Sequence, residues 1–491
     1  MNKIFIVLVS LIVFQPYLIS APLKTSIQNS HYFVDESGKA VYLTGSHTWK
    51  YFQDSNLRGP SLKFTEYLDF VEFYNHNFIR LWAWEDSGYS PLPYKRTGPG
   101  TAFDGGARFD LTQLNHEYFE KLEEGVIAAQ NRGIYVGVML FQGWSGLNRG
   151  SVKKWNAWNK HPFNGENNIN GIDGSVYEKG IVIGRNVTNL TIPAITSVQE
   201  AYVAKVIDTL NQYDNIIWEI GNEINIISKD WQYHMINFIK GYESRKPKQH
   251  PVGMTSMYGA RDNASLFESS ADWVSPFARP WNSERNIYFS DPPIPCAVNK
   301  VSILDTDHIG NHMSYKVAFN AKGQRNWTWK AFTRGHNPIY MEAWKWRLDR
   351  DTQESGKFPN RANIPNAKHK FGLDPFFDPQ RKAMGDTLKY ANKMNLAKMF
   401  PTNSTAECST GFCIRTPGIE YIAYQPNATG GITINLPAGS YNVETFDTRD
   451  RSMVPEYLDN WNGGDKVFIK PMHASEDWVL YLKVDSLIYS Q

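Results

Sequence analysis

Two glutamates, each at the end of a segment with strand character, are the residues of this sequence best suited to chemistry. Residues 215–225 read N-I-I-W-E-I-G-N-E-I-N, an apolar run that predicts a buried strand delivering Asn222 and Glu223 at its carboxyl end. Residues 337–344 read N-P-I-Y-M-E-A-W, and this second predicted strand delivers Glu342. Two carboxyl groups at strand ends of one barrel can supply a general acid and a nucleophile to a glycosidic bond.

Such a pair needs surroundings that keep one carboxyl protonated and the other ionised. Arg80 lies among apolar residues in F-I-R-L-W-A-W-E-D, where an unpaired charge is costly, so the segment predicts an acidic neighbour. Beside the nucleophile, Arg80 would lower the pKa of that carboxyl. Glu219 shares a face with Glu223 but lies deeper, and we expect it to pair with Arg80 or another buried base. We expect Asn222 to bond the sugar hydroxyl next to the anomeric carbon.

Further polar and aromatic residues at or near strand ends are candidate contacts for sugar rings, whose C–H faces stack on indoles. For each aromatic residue taken alone, packing in the core is an equal alternative. The candidates are His47, Trp49, Trp82, Trp84, Trp144, Asp307, His308 and Trp344. Asp307, His308 and His312 are also a weak candidate metal site. Because the sequence has no H-E-x-x-H motif and no dense ligand cluster, we expect neither a metal nor a cofactor.

The order of strand and helix patterns predicts the fold class. From residue 22 to residue 400 the two patterns alternate, which indicates βα units around a parallel sheet. Eight strand candidates in this region favour a (β/α)8 TIM barrel over an open sheet. From residue 401 to residue 491, short strands separated by turns predict an all-β sandwich. We therefore expect an α/β barrel followed by a small β-sandwich domain.

The amino terminus and the charge balance indicate where the protein acts. Residues 1–21 combine one lysine, an apolar stretch and a small-residue exit, which predicts a cleaved signal peptide and a secreted chain, with an uncleaved anchor as the alternative. No later segment is apolar and long enough to span a membrane. With 51 basic and 49 acidic residues, no net charge favours nucleic acid as a partner. We expect a monomer whose partner is an oligosaccharide or a polysaccharide.

Cysteines and glycosylation sequons agree with an exported chain. Cys408 and Cys413, in C-S-T-G-F-C, are close enough in sequence to close a small loop and leave Cys296 free, although other pairings stay open. Six N-x-S/T sequons predict surface glycans if the host glycosylates, with chance occurrence as the alternative. They begin at Asn186, Asn189, Asn263, Asn326, Asn403 and Asn427.

The motifs F-I-R-L-W, W-E-I-G-N-E and P-I-Y-M-E resemble those of the clan A glycoside hydrolases, the retaining cellulase-like barrels. This resemblance implies an Asn-Glu pair on the fourth strand with Glu223 as acid/base, and a glutamate on a late strand, here Glu342, as nucleophile. The tail motifs E-Y-I-A-Y-Q-P and Y-N-V-E-T-F-D are similar to the β-domain, labelled collagen-binding, that follows the barrel in apiosidase-like glycosidases.

The strand count departs from the clan pattern at one point. A straight count places Glu342 on the eighth strand, whereas the clan carries its nucleophile on the seventh. Either residues 272–276 form an inserted strand outside the barrel, which we favour, or the nucleophile is Asp305 or Asp307. The resulting hypothesis is a secreted retaining glycoside hydrolase. The alternative is a non-catalytic carbohydrate- or matrix-binding protein built on an inactive barrel.

Overall fold

Eight parallel strands in sequence order form the barrel. In a computed structural model of the chain, residues 20–48, 52–55, 63–147, 156–259, 263–276, 300–305, 321–341 and 377–485 are described. The strands are β1 (Gly45–His47), β2 (Phe78–Leu81), β3 (Tyr135–Gln142), β4 (Ile216–Asn222), β5 (Val252–Thr255), β6 (Trp273–Ser275), β7 (Val301–Asp305) and β8 (Asn337–Met341).

The strand pairing confirms the predicted TIM barrel. Each strand from β2 to β7 pairs in parallel with the next one, and β8 pairs with β1. At the remaining seam, between β1 and β2, the Asn77 backbone N–H donates to the Thr44 carbonyl at 3.0 Å. The sheet is therefore almost closed. The strand that ends on Asn222 is the fourth, as the sequence predicted.

The expectation that residues 272–276 form an inserted strand outside the barrel is wrong. Trp273–Ser275 is β6, and it pairs in parallel with β5 on one side and β7 on the other. The indole of Trp273 packs directly over Gly253 of β5, where an added Cβ would lie 1.8 Å from the ring. This packing holds a strand of three residues in the barrel. As a result β7 ends on Asp305, and Glu342 follows the eighth strand.

The helices between the strands cover the outside of the barrel with apolar faces. Helix α3, for example, begins with Pro193 in its first turn, where the missing N–H costs nothing, and buries Val203, Val206, Ile207 and Leu210. Within the described residues, the α-helices are α1 (Phe64–Phe73), α2 (His116–Gln130), α3 (Pro193–Leu210), α4 (Lys229–Glu243), α5 (Ala264–Glu268), α6 (Ala321–Thr333) and α7 (Asp378–Lys393).

Insertions after β2 and β3 pack on each other. The first is an antiparallel hairpin of Tyr94–Thr101 and Ala107–Leu114, and the second includes the small hairpin of Val176–Glu178 and Ile181–Ile183. A shared core joins them. Its buried members are Leu92, Tyr94, Phe109, Leu111, Trp158, Phe163, Val187 and Ile195. Short paired segments occur earlier, at Lys24–Thr25, Phe33–Val34, Ala40–Val41, Asp54–Ser55 and Tyr89–Ser90.

The carboxyl-terminal region is all-β and antiparallel, as predicted. A six-stranded sheet has the order Phe400–Thr402, Cys413–Thr416, Glu420–Gln425, Trp478–Val484, Gly439–Asp447 and Met453–Trp461. A second pair of strands, Ile432–Leu436 and Gly464–Phe468, contributes to the same core. Cys408 and Cys413 are buried there as free thiols within hydrogen-bond reach of each other. Cys296 and the predicted signal peptide, apart from residues 20 and 21, lie outside the described residues.

The β region packs against α6 and α7 of the barrel. Arg325 of α6 pairs with the fully buried Asp477 at 2.7 Å. The ring of Trp329 stacks on that of Tyr424 with centroids 6.1 Å apart. One apolar cluster contains residues of both regions, so they share a core. In the described part of the chain, no helix combines the length and the apolar character that crossing a membrane would require.

Candidate active site

Arg80 lies at the centre of the polar network at the carboxyl ends of the strands. Its side chain is 2% exposed, and its Nε donates to Glu219 Oε2 at 2.8 Å. Its Nη2 donates to the other oxygen of Glu219 and, at 3.3 Å, to Asn222 Oδ1. Its Nη1 donates to Asp305 Oδ2. Arg80, for which one acidic neighbour was expected, therefore has two, Glu219 of β4 and Asp305 of β7. Its guanidinium joins β2 to both of these strands.

Asp305 is held from its second oxygen by His47 of β1. The Trp82 indole N–H donates to His47 Nδ1 at 2.8 Å, so the proton of the neutral imidazole is on Nε2. That nitrogen lies 3.0 Å from Asp305 Oδ1 and donates to it. Burial lowers the pKa of His47, and the nearby Asp305 only partly opposes this. Asp305 thus accepts hydrogen bonds at both oxygens, an arrangement that favours the ionised carboxylate.

Glu223 follows β4 in a strained backbone conformation. Its φ is +46°, in the left-handed region that non-glycine residues rarely adopt, and such strain concentrates at functional sites. The Trp144 indole N–H donates to Glu223 Oε2. Gly143 allows this approach, since a Cβ there would lie 2.1 Å from the Glu223 carbonyl oxygen. The segment after β3 is therefore fitted closely around Glu223.

Asn222 links this part of the site to Arg80. Its Oδ1 accepts from Arg80, and its Nδ2 donates to Gln142 Oε1 at 3.2 Å. The amide carries a second N–H hydrogen that neither contact uses. Its expected bond to a sugar hydroxyl stays a prediction.

Aromatic and methionine side chains line the same end of the barrel. The buried members of this cluster are Trp82, Trp84, Tyr89, Met139 and Met341, and Trp144 packs against them. Trp84 is 6% exposed and stacks on Tyr89 at 4.5 Å and 4°, so the alternative of core packing describes it better than a sugar platform. Trp144 is less enclosed and meets the half-exposed ring of Tyr258 at 6.2 Å.

The structure brings together five of the residues proposed from the sequence, namely Glu223, Asn222, Arg80, His47 and Trp144. Glu342, Trp49, Asp307, His308 and Trp344 lie outside the described residues. Asp305 was only a rival candidate in the sequence, where its position at the end of V-S-I-L-D was the available signal. Gln142 carried no such signal, and Trp82 was proposed only as a sugar platform. Among the residues described, no three His, Cys, Asp or Glu side chains are grouped so as to hold a metal ion.

Comparisons with known proteins agree with this fold. The model of a family described as a domain of unknown function, DUF6298, matches residues 75–286. A family 5 glycoside hydrolase from Bacteroides vulgatus ATCC 8482 is similar in structure, with a TM-score of 0.58, 15% identity, and coverage of 97% of this chain and 96% of that one. A second structure, described as a glycoside hydrolase, has a TM-score of 0.56 and 14% identity over 96% and 99% of the two chains. No curated protein sequence matches the chain.

Proposed function

We propose that this protein is a glycoside hydrolase that cleaves O-glycosidic bonds of an oligosaccharide or polysaccharide with retention of configuration. The observation that supports it most is the Arg80 network. Arg80 bonds both Asn222, the residue before Glu223, and Asp305, the carboxylate at the end of β7 that also accepts from His47. The structures that share the fold are glycoside hydrolases, which agrees with a carbohydrate substrate.

Glu223 is the proposed acid/base. In the first step its carboxyl protonates the leaving oxygen while the nucleophile attacks the anomeric carbon, and a covalent glycosyl-enzyme forms. In the second step Glu223 takes a proton from water, which then displaces the nucleophile. The Trp144 N–H donates to one oxygen of Glu223 and so helps to orient the carboxyl.

Asp305 is the nucleophile that the strand order favours, and Glu342 is the alternative. A nucleophilic carboxylate must stay ionised, and Arg80 and His47 each bond one oxygen of Asp305. The Asp305 side chain is 16% exposed, so a bound sugar can reach the carboxylate. Glu342 follows β8, one strand further around the barrel than the position in clan A.

Azide rescue of variants at Glu223, Asp305 and Glu342 tests the assignments of the acid/base and of the nucleophile. Wild type is first screened on plant and algal polysaccharides and on activated aryl glycosides. On a cleaved aryl glycoside, we expect Glu223→Ala with azide to give a glycosyl azide of retained configuration. We expect Asp305→Gly with azide to give the inverted product. The matched control is Glu117→Gln, an exposed glutamate of α2, which should keep the wild-type rate.

The outcomes separate the candidates. If Asp305→Gly keeps its rate while Glu342→Gly loses activity and is rescued with inversion, the nucleophile is Glu342. Rescue of neither carboxylate variant would contradict double displacement. Binding of a polysaccharide in affinity electrophoresis without cleavage of any substrate would instead favour the non-catalytic barrel.

Export is the second part of the proposal. We propose that residues 1–21 are removed and that a monomer, glycosylated where the host allows, acts outside the cell. Amino-terminal sequencing of the protein recovered from culture medium should begin close to residue 22, and light scattering should give the mass of one chain. Retention of residues 1–21 in a membrane fraction would contradict cleavage.

A further inference from the structure

Two consecutive carboxyl groups in the loop after β2 bind the loop after β3. Glu85 Oε2 accepts the Gln142 backbone N–H at 2.7 Å, and Asp86 Oδ2 accepts the Ser145 hydroxyl at 3.0 Å. The Glu85 backbone N–H donates in return to Ser145 Oγ at 3.1 Å. Three hydrogen bonds thus fasten both ends of the segment Gln142–Ser145.

That segment contacts Asn222, the last residue of β4, and Glu223, which follows it. The Trp144 indole donates to Glu223, and Gln142 Oε1 accepts from Asn222 Nδ2 at 3.2 Å. Gly143 lies against the Glu223 backbone without room for a Cβ. A shift of this segment would therefore move the hydrogen-bond donor away from the proposed acid/base.

We propose that Glu85 and Asp86 are positioning residues for Glu223, and that an uncompensated negative charge on the buried Glu85 disturbs the arrangement. They act through the segment Gln142–Ser145, whose Trp144 holds the Glu223 carboxyl. The catalytic part of this inference rests on the proposed function. The structural part, that the two carboxyl groups position Trp144 against Glu223, holds whether or not the protein is active.

The groups that face Glu85 offer its carboxylate no charge to neutralise it. His161 Nε2, from the loop after β3, lies 3.8 Å from Glu85 Oε1, but burial lowers the pKa of His161 to about 3, so the ring is neutral. The other titratable neighbours are Asp86 in its own loop and the tyrosines at positions 94, 118 and 202 from the hairpin, α2 and α3. Lys160 acts on Asp86. None of the groups that shift the pKa of Glu85 is cationic.

Burial raises the pKa of both carboxyl groups, and this makes the stability of the folded protein depend on pH. It raises the pKa of Glu85 from 4.5 to about 8, and the neighbouring Asp86 adds to this, while the Gln142 N–H opposes it. Burial likewise raises the pKa of Asp86 to about 6. The folded protein then holds a proton on Glu85 that the unfolded chain releases above pH 4.5. This contribution to stability is complete at low pH and is lost as the pH rises towards about 8.

Fluorine NMR of the protein labelled with 5-fluorotryptophan tests the structural part. The Trp144 resonance is assigned by its disappearance in Trp144→Phe. In wild type we expect it to shift with a midpoint near pH 8, the pKa of Glu85. In Glu85→Gln, which keeps an acceptor for the Gln142 N–H but cannot ionise, this step should vanish. Any step that persists belongs to Glu223 or another group. Glu166→Gln, at a side chain that is 67% exposed, is the matched control and should titrate as wild type.

Kinetics on a cleaved aryl glycoside test the catalytic part. Between pH 6 and 7 we expect Glu85→Gln to keep kcat within threefold, and its alkaline limb should move up by at least one pH unit. Glu85→Ala should lose at least tenfold in kcat with a smaller change in KM. An unchanged alkaline limb in Glu85→Gln, or a Trp144 resonance without a Glu85-dependent step, would overturn the inference. A Glu85-dependent step without hydrolysis of any substrate would keep the positioning and reject the proposed function.

Discussion

Replacement of Gly143 by alanine tests how closely the segment after β3 must approach Glu223. The added Cβ would lie 2.1 Å from the Glu223 carbonyl oxygen, 2.7 Å from its carbonyl carbon and 3.0 Å from Ile224 Cα. All three are backbone atoms, so no side-chain rotation relieves the overlap. An ordinary contact is about 3.4 Å, so the two backbones must separate by roughly 1.3 Å. Overpacking of this kind costs about 1–3 kcal/mol.

The same displacement should reduce turnover, because the Trp144 N–H would move away from the Glu223 carboxyl. A hydrogen bond with an ionisable partner is worth about 1.5–3 kcal/mol, and each 1.4 kcal/mol corresponds to about tenfold in rate. We therefore expect Gly143→Ala to lower kcat by about 10- to 150-fold on the aryl glycoside that wild type cleaves. Its thermal midpoint should fall by a few degrees.

Gly241→Ala is the matched control. Gly241 lies in α4 with open space around the position of a Cβ, so alanine should stabilise the helix by about 0.5–1 kcal/mol and leave kcat unchanged. Differential scanning calorimetry and initial rates measure both variants. If Gly143→Ala keeps kcat within twofold of wild type while its midpoint falls, the contact of Trp144 with Glu223 serves folding and not catalysis.

Three further predictions address charge and cysteine. Arg80→Met leaves the fully buried Glu219 without its cation and should lower the free energy of unfolding by about 3–5 kcal/mol, measured by urea denaturation; an unchanged midpoint would contradict the pairing. Arg325→Met leaves the buried Asp477 without its cation between the barrel and the β region, and we expect calorimetry to resolve two transitions for this variant and one for wild type; a single transition in the variant would mean that the apolar core alone couples the two regions. The neighbouring Cys413 thiol lowers the pKa of Cys408 to about 7, and burial only partly opposes this. Oxidised glutathione at pH 8 should therefore convert the two thiols to a disulfide, seen by mass spectrometry, and raise stability by about 2 kcal/mol. Survival of both thiols would rule out this pairing.

Much of the fold and of the site could be predicted from local patterns in the sequence. The run that ends on Asn222 and Glu223 is apolar, rich in β-branched residues and bounded by polar ones, and it forms β4 as expected. The cost of an unpaired buried charge predicted an acidic partner for Arg80, and Glu219 is that partner. Such inferences succeed because backbone hydrogen bonding and burial impose a regular pattern of apolar and polar residues over a few consecutive positions.

The tertiary structure alone decided which carboxylate stands at the end of the seventh strand. β6 has only three residues, and it belongs to the barrel because Trp273 packs on Gly253, a contact between two strands that no local pattern encodes. The Trp82 bond that sets the His47 tautomer joins residues 35 positions apart, and the Glu85 bond to Gln142 joins residues 57 apart. The sequence by itself determined the elements and the kinds of groups at their ends. Which of those groups meet depends on how the strands close into a barrel, since that closure brings distant segments within bonding distance.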